Sequence, residues 1–179
     1  MEIKFKPIEE EDLEILKHWR NDPEIKVNCN EWRDLNMQDQ WVWFDSLTKN
    51  INCQMWAIEI EDKKKYRFSM EKEPTIIGAC GIVKINWKNL HGEVSIYIGD
   101  KNYQGLGLGA KTLSLMEKWA WEDAGLRKLL GFVWEGNEKA ANMFKSTGYR
   151  KVGYFSKHIW KKGKWTDVII YEKILGGAC

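Results

Sequence analysis

The stretch Tyr103-Gln104-Gly105-Leu106-Gly107-Leu108-Gly109 constrains this chain more than any other. It lies between an apolar run, Val94–Ile98, and a helical pattern over Ala110–Ala124. A glycine-dense loop that opens a helix presents backbone N–H groups with no intrahelical partner. Glycine lets a ligand come close to that backbone, and the helix dipole adds positive potential. Such a loop suits a phosphate or pyrophosphate; it also suits a tight strand-to-helix turn with no ligand. Two nucleotide-binding patterns are testable on paper. A Walker loop needs Gly-Lys-Ser/Thr, whereas Gly109 is followed by Ala110-Lys111-Thr112. Gly105, Gly107 and Ala110 fit a relaxed dinucleotide fingerprint. However, residues Gly99 to Tyr103 separate the strand from the loop, and no repeated βαβ pattern surrounds it.

A chain of 179 residues predicts one domain, placed at 1–175 with a frayed Gly-Gly-Ala-Cys tail over 176–179. Hydrophobic residues make up 44%, enough for a core without a disulfide or metal. Net charge is +2 with 30% charged residues, which argues against non-specific nucleic-acid binding. No apolar run reaches membrane-spanning length, and Met1-Glu2-Ile3-Lys4-Phe5-Lys6 is too charged for a signal peptide. The cysteines at 29, 53, 80 and 179 lack metal or redox spacing, and His18, His91 and His158 form no ligand pattern. A reduced cytoplasmic protein with no metal is expected. Of eleven tryptophans, Trp19, Trp32, Trp41 and Trp43 cluster near the N-terminus. Core packing is expected for most, with an acceptor pocket or a dimer surface as the other uses of the cluster.

Periodicity predicts strands over Ile3–Ile8, Gln54–Glu61, Thr75–Trp87, Glu93–Ile98, Lys128–Trp134, Arg150–Ile159 and Thr166–Lys173. It predicts helices over Glu10–Asn21, ended by Pro23, over Met37–Thr48, Ala110–Ala124 and Glu138–Thr147, the last capped by Asn137. The lysine-rich tract Asp62–Pro74 reads as a solvated hairpin loop. The order β-α-α-β-β-β-α-β-α-β-β implies a mixed α/β domain around one sheet.

The element order and the loop together resemble the GNAT family of N-acetyltransferases. Its acyl-CoA motif, Gln/Arg-x-x-Gly-x-Gly/Ala, is matched by Gln104–Gly109. A second family motif is matched by Asn137-Glu138-Lys139-Ala140, Met143-Phe144 and Gly148-Tyr149. Trp19-Arg20-Asn21-Asp22-Pro23-Glu24-Ile25 and Gln40–Phe44 are similar to nucleotide-amino-sugar members. His91–Ile98 through Tyr103-Gln104-Gly105, and Asn137–Ala140, are similar to polyamine members, and ribosomal-protein N-terminal acetyltransferases belong to the same branch.

The resemblance implies a mostly antiparallel sheet with about four helices and one splayed parallel strand pair. It implies acetyl-CoA as cosubstrate, held by backbone amides of Ile96, Tyr97 and Ile98. The amides of Gln104, Gly105, Leu106, Gly107, Leu108, Gly109 and Ala110 would cradle the pyrophosphate. Asn137, Lys139, Ala140 and Phe144 would flank the rest. Lys111 is either a phosphate ligand or a solvated helix lysine. Glu93 is the implied general base, on one strand face with Ser95 and Tyr97. The position that often carries a proton-donating tyrosine is Phe144, so Tyr103, Tyr97 or unassisted departure of a thiolate with an ordinary pKa of about 8.5 must serve. His158 is either a second base or an edge-strand histidine. Glu24, Glu31 and Asp34 beside the tryptophans would suit a polyamine, and the tryptophans a sugar. The implied partner is a small-molecule amine, an amino sugar or polyamine. A protein N-terminus or a weak acyl-CoA-binding role is the alternative, and a homodimer is compatible.

Overall fold

The computed structural model describes residues 1–61 and 75–176. The tract expected as a hairpin loop, 62–74, and residues 177–179 of the expected tail lie outside the described residues. The strands are β1 (Glu2–Lys6), β2 (Gln54–Glu61), β3 (Thr75–Asn86), β4 (His91–Ile98), β5 (Lys128–Trp134), β6 (Arg150–Lys161) and β7 (Lys164–Ile174). The helices are α1 (Leu13–Asn21), α2 (Pro23–Lys26), α3 (Met37–Lys49), α4 (Leu108–Glu122) and α5 (Glu138–Ser146). One sheet runs β1-β2-β3-β4-β5-β7-β6, and only the β4–β5 pair is parallel.

Strand alternation divides the core into two layers. On β2, Trp56, Ile58 and Ile60 join Leu113 and Met116 of α4 and Phe144 of α5. The alternate residue Ala57 joins Leu13, Leu16 and Trp19 of α1 on the other side of the sheet. Burying each such Leu or Ile contributes about 1.5–3 kcal/mol. The same alternation places Val94, Ile96 and Ile98 of β4 against the α4 layer and Tyr97 against the α1 layer.

Several expectations shift. The residues Glu10–Asp12 form a 3-10 turn before α1 rather than its first helical turn. Pro23 does not simply end a helix: Asp22 accepts the Glu24 N–H at 2.8 Å, and Pro23 opens α2 at a position that needs no N–H donor. α4 starts at Leu108, two residues early, because the Leu108 side chain is buried in the main core. Core packing describes Trp19 and Trp56 but not most tryptophans: Trp32, Trp41, Trp87, Trp121, Trp160 and Trp165 are exposed. Trp160 and Trp165 face each other across the β6–β7 turn, with ring centroids 5.5 Å apart, and gain contact area without entering the core.

Candidate active site

The sheet opens at a fork. Parallel pairing between β4 and β5 runs through His91–Lys128, Gly92–Leu129 and Glu93–Leu130, then stops. Beyond it, β4 continues to pair with β3 as far as Ile98–Gly78. The amides of this stretch alternate in direction. The Gly99 N–H reaches the Ile77 carbonyl at 2.7 Å, so the Tyr97 groups also face β3. A Cβ on Gly78 would lie 2.2 Å from the Tyr97 carbonyl oxygen, which confirms that direction. Ile96 and Ile98 therefore turn their amides into the gap. This corrects the expectation of three free amides: Tyr97 gives its backbone to the sheet and packs its ring on the α1 side.

The glycine loop follows at the same end. Gly105 and Gly107 have φ of +74° and +72°, and a Cβ on either would meet nothing within 4 Å. Backbone conformation alone requires glycine at these two positions. The side-chain amide of Gln104 donates to the Ile98 carbonyl at 2.9 Å and ties the loop to the strand end. Gly107 is the N-cap of α4 and has no side chain to bond the first-turn N–H groups. The first turn carries no acidic residue. These uncapped amides, with the positive end of a 15-residue helix behind them, suit the pyrophosphate of a nucleotide-bearing ligand. Gly109 has a different reason: a Cβ there would lie 3.2 Å from the Met143 sulfur on α5. Lys111 and Lys139 are exposed, and Ala140 is half-buried against the main core.

On the β5 side, the Asn137 side chain accepts the Ala140 N–H at 3.2 Å and caps α5. Phe144 is 4% exposed. Its ring lies over Gly131, the first β5 residue past the fork, where a Cβ would sit 2.4 Å from the ring. Tyr171 stacks with it at 5.6 Å and Tyr149 meets it edge-on at 4.9 Å. Phe144 thus builds the floor beside the gap instead of presenting a face to it. Tyr103 is buried in the main core.

Glu93 stands at the last paired residue of the fork, 22% exposed, with Lys84 Nζ 2.9 Å from its carboxylate. Lys84 sits where the β3–β4 register slips between Val83 and Asn86, with φ of +50°. Farther along the same face, burial pushes the Tyr97 hydroxyl well above its ordinary pKa, so it stays protonated. The Arg20 guanidinium lies 6.0 Å from the Tyr97 ring centroid. Burial also raises the Cys29 thiol, with the nearby Arg20 and Lys161 charges opposing it. The Lys161 ammonium donates to the Cys29 carbonyl, and Trp134 Nε1 donates to Asn28 at 2.9 Å. These contacts close the β6–β7 turn onto the segment after α2. Local pattern gave no sign of them. His158 is exposed on β6 beside Phe155, its ring 4.8 Å away.

Residues 2–150 match the family model described as an acetyltransferase (GNAT) domain. The chain is 24% identical over 159 residues to an uncharacterized protein of Methanocaldococcus jannaschii, covering 88% of this chain and 30% of that protein. The chain thus spans less than a third of the length of that relative. It is 24% identical over 167 residues to a spermidine N(1)-acetyltransferase of Escherichia coli K12, covering 93% of this chain and 83% of that protein. Its fold matches a crystal structure of a Vibrio cholerae spermidine N-acetyltransferase in complex with CoA and spermine, with TM-score 0.83, 17% identity, and coverage of 96% and 95% of the two chains. Among the described residues, no helix is long and apolar enough to cross a membrane.

Proposed function

Since this chain belongs to the GNAT acetyltransferase family, we propose that it transfers an acetyl group from acetyl-CoA to the primary amine of a small molecule. One observation carries the reading: the fork beyond Glu93–Leu130 leaves the Ile96 and Ile98 amides unpaired at the mouth that the glycine loop borders. An extended pantetheine arm bonds such a strand edge as an added strand would. The first-turn amides of α4 receive the pyrophosphate. That a related structure holds CoA supports the same cosubstrate here.

The chemistry then falls to few groups. A primary alkylammonium has a pKa of about 10.4 and must lose a proton before it attacks. Glu93 is the carboxylate at the fork and takes that proton, directly or through a water. The Lys84 pair does not prevent this: Lys84 is 71% exposed, and an exposed pair contributes only about 0–1 kcal/mol. The amine nitrogen bonds to the thioester carbon, and its oxygen takes the negative charge. A gap-facing amide, Ile96 or Ile98, stabilises that oxyanion. Collapse breaks the carbon–sulfur bond, and the nitrogen gives up its remaining proton as the amide forms; the departing thiolate takes that proton, directly or through a water, and leaves as the free thiol. Phe144 has no proton to give, and burial makes the Tyr97 hydroxyl a far weaker acid than a thiol, so no side chain protonates the leaving sulfur.

Thiol release with acetyl-CoA across a panel of small amines tests the reading. Acetyl-CoA-dependent release with any small amine, reduced at least 100-fold in Glu93→Gln, is the expected result. Tight acetyl-CoA binding with no release from any amine would refute it.

A further inference from the structure

The charges around the acceptor side of the fork are sorted in an unexpected way. The carboxylates expected to hold a polyamine are already paired. Asp22 and Glu24 share Lys101 at 3.0 and 3.8 Å, Glu31 pairs with Arg33 at 3.0 Å, and Asp34 pairs with Lys26 at 2.6 Å. Glu93 is held by Lys84, and Asp167 on the β6–β7 hairpin accepts the Lys157 N–H at 2.7 Å. The cations are in the opposite condition. Arg20 makes no ion pair or hydrogen bond with any described residue; its Nε is buried without a partner, and its guanidinium lies 6.0 Å from the Tyr97 ring centroid. Among the described residues, Lys161 has the Cys29 carbonyl and no carboxylate partner, and burial lowers its pKa, as expected for an ammonium drawn out of water. Lys162 lies 5.5 Å from the Trp134 ring centroid and pairs with no carboxylate among the described residues.

These three cations converge. Arg20 and Lys161 both act on Cys29, and Trp134, beneath Lys162, bonds the adjacent Asn28. Arg20 lies over the ring of Tyr97, which belongs to the strand that borders the gap. A partly buried guanidinium with unused donors is costly unless an anion completes it. A polycation would meet like charge here.

Resting on the acetyl-transfer reading, we infer that the acceptor is an amine that also carries an anionic group, phosphate or carboxylate, seated by Arg20, Lys161 and Lys162, and is not a polyamine. Trp134 offers a flat apolar surface beside that anion.

The test has two arms. First, UDP, glucosamine 6-phosphate, muramic acid and spermidine are each titrated calorimetrically into protein saturated with CoA. At least one of the three anions should bind and spermidine should not. Arg20→Gln should weaken anion binding about tenfold or more, and the exposed Lys162→Ala by a smaller factor, with CoA affinity unchanged in both. Second, thiol release is compared for glucosamine, glucosamine 6-phosphate, muramic acid and spermidine. The phosphate or carboxylate form should exceed glucosamine in kcat/KM at least tenfold, and the two anionic arms separate phosphate from carboxylate. Anion binding without turnover of any amine would sink acetyl transfer to small amines and leave the anion site standing. Turnover of spermidine, unchanged or improved in Arg20→Gln, would overturn the inference and leave acetyl transfer standing. Failure of UDP, glucosamine 6-phosphate and muramic acid to bind would overturn it outright.

Discussion

Gly131 fixes the floor of the fork, and Gly131→Ala tests how. A Cβ there would lie 2.4, 2.6 and 2.8 Å from three atoms of the Phe144 ring. Carbon atoms rest at about 3.5–4.0 Å, so the ring would have to retreat by about 1 Å. It has no free direction: Tyr171 stacks on it at 5.6 Å with planes 11° apart, and Tyr149 blocks the edge at 4.9 Å. Overpacking of this kind costs about 1–3 kcal/mol. For a domain of this size a loss of about 2 kcal/mol lowers Tm by about 4–8 °C. Chemical denaturation and thermal melts of four proteins would measure it: wild type, Gly131→Ala, Phe144→Leu and the double variant. Phe144→Leu removes the colliding ring atoms, so Gly131→Ala should cost almost nothing in that background. The cycle should give a coupling of about 1–2 kcal/mol. Additive losses, or a Gly131→Ala protein as stable as wild type, would show that the ring does not rest on β5 at the fork.

Gln104→Leu should raise the KM for acetyl-CoA several-fold while leaving kcat near wild type, because the loop loses its bond to the Ile98 carbonyl; steady-state kinetics check it. Asn137→Ala removes the α5 cap and should cost about 1 kcal/mol in urea denaturation, where Asn137→Asp should keep most of the stability. Glu172, held below its ordinary pKa by Arg150 and then Lys128, has a folded pKa lower than its unfolded one. Its contribution is therefore present above the unfolded pKa of about 4.3 and is lost as pH falls through the folded value. Glu172→Gln should lower Tm at pH 7, and its deficit against wild type should close in melts run below about pH 4.

Elements with strong local signals were legible in the sequence. The glycine loop and the Asn137 cap fall where pattern places them. The splayed parallel pair, which the family resemblance implied, is present in the sheet. What depended on distant partners was not legible. Pro23 reads as a helix stop until Asp22 is seen capping a second helix. The role of the Tyr97 backbone depends on register with β3, which alternation within β4 alone cannot set. Phe144 matched a motif position, but only Gly131 and two tyrosines from other elements show that its ring is buried. The cation cluster is the extreme case: Lys161 and Cys29 are 132 residues apart, and Trp134 and Asn28 are 106 apart. Exposed tryptophans misled because composition gives their number but not their side of the sheet.

The central claim is that the fork and the glycine loop together hold acetyl-CoA. Titration of the cosubstrate into nitrogen-15-labelled protein tests it residue by residue. The amides of Ile96, Ile98, Gly105, Gly107 and Leu108 should shift strongly and gain protection from hydrogen exchange. Tyr97, already bonded to β3, should be protected before any ligand is added. Binding that leaves the Ile96, Ile98 and loop amides unmoved, or that moves residues around the cavity lined by Trp87 and Trp119 instead, would contradict the account.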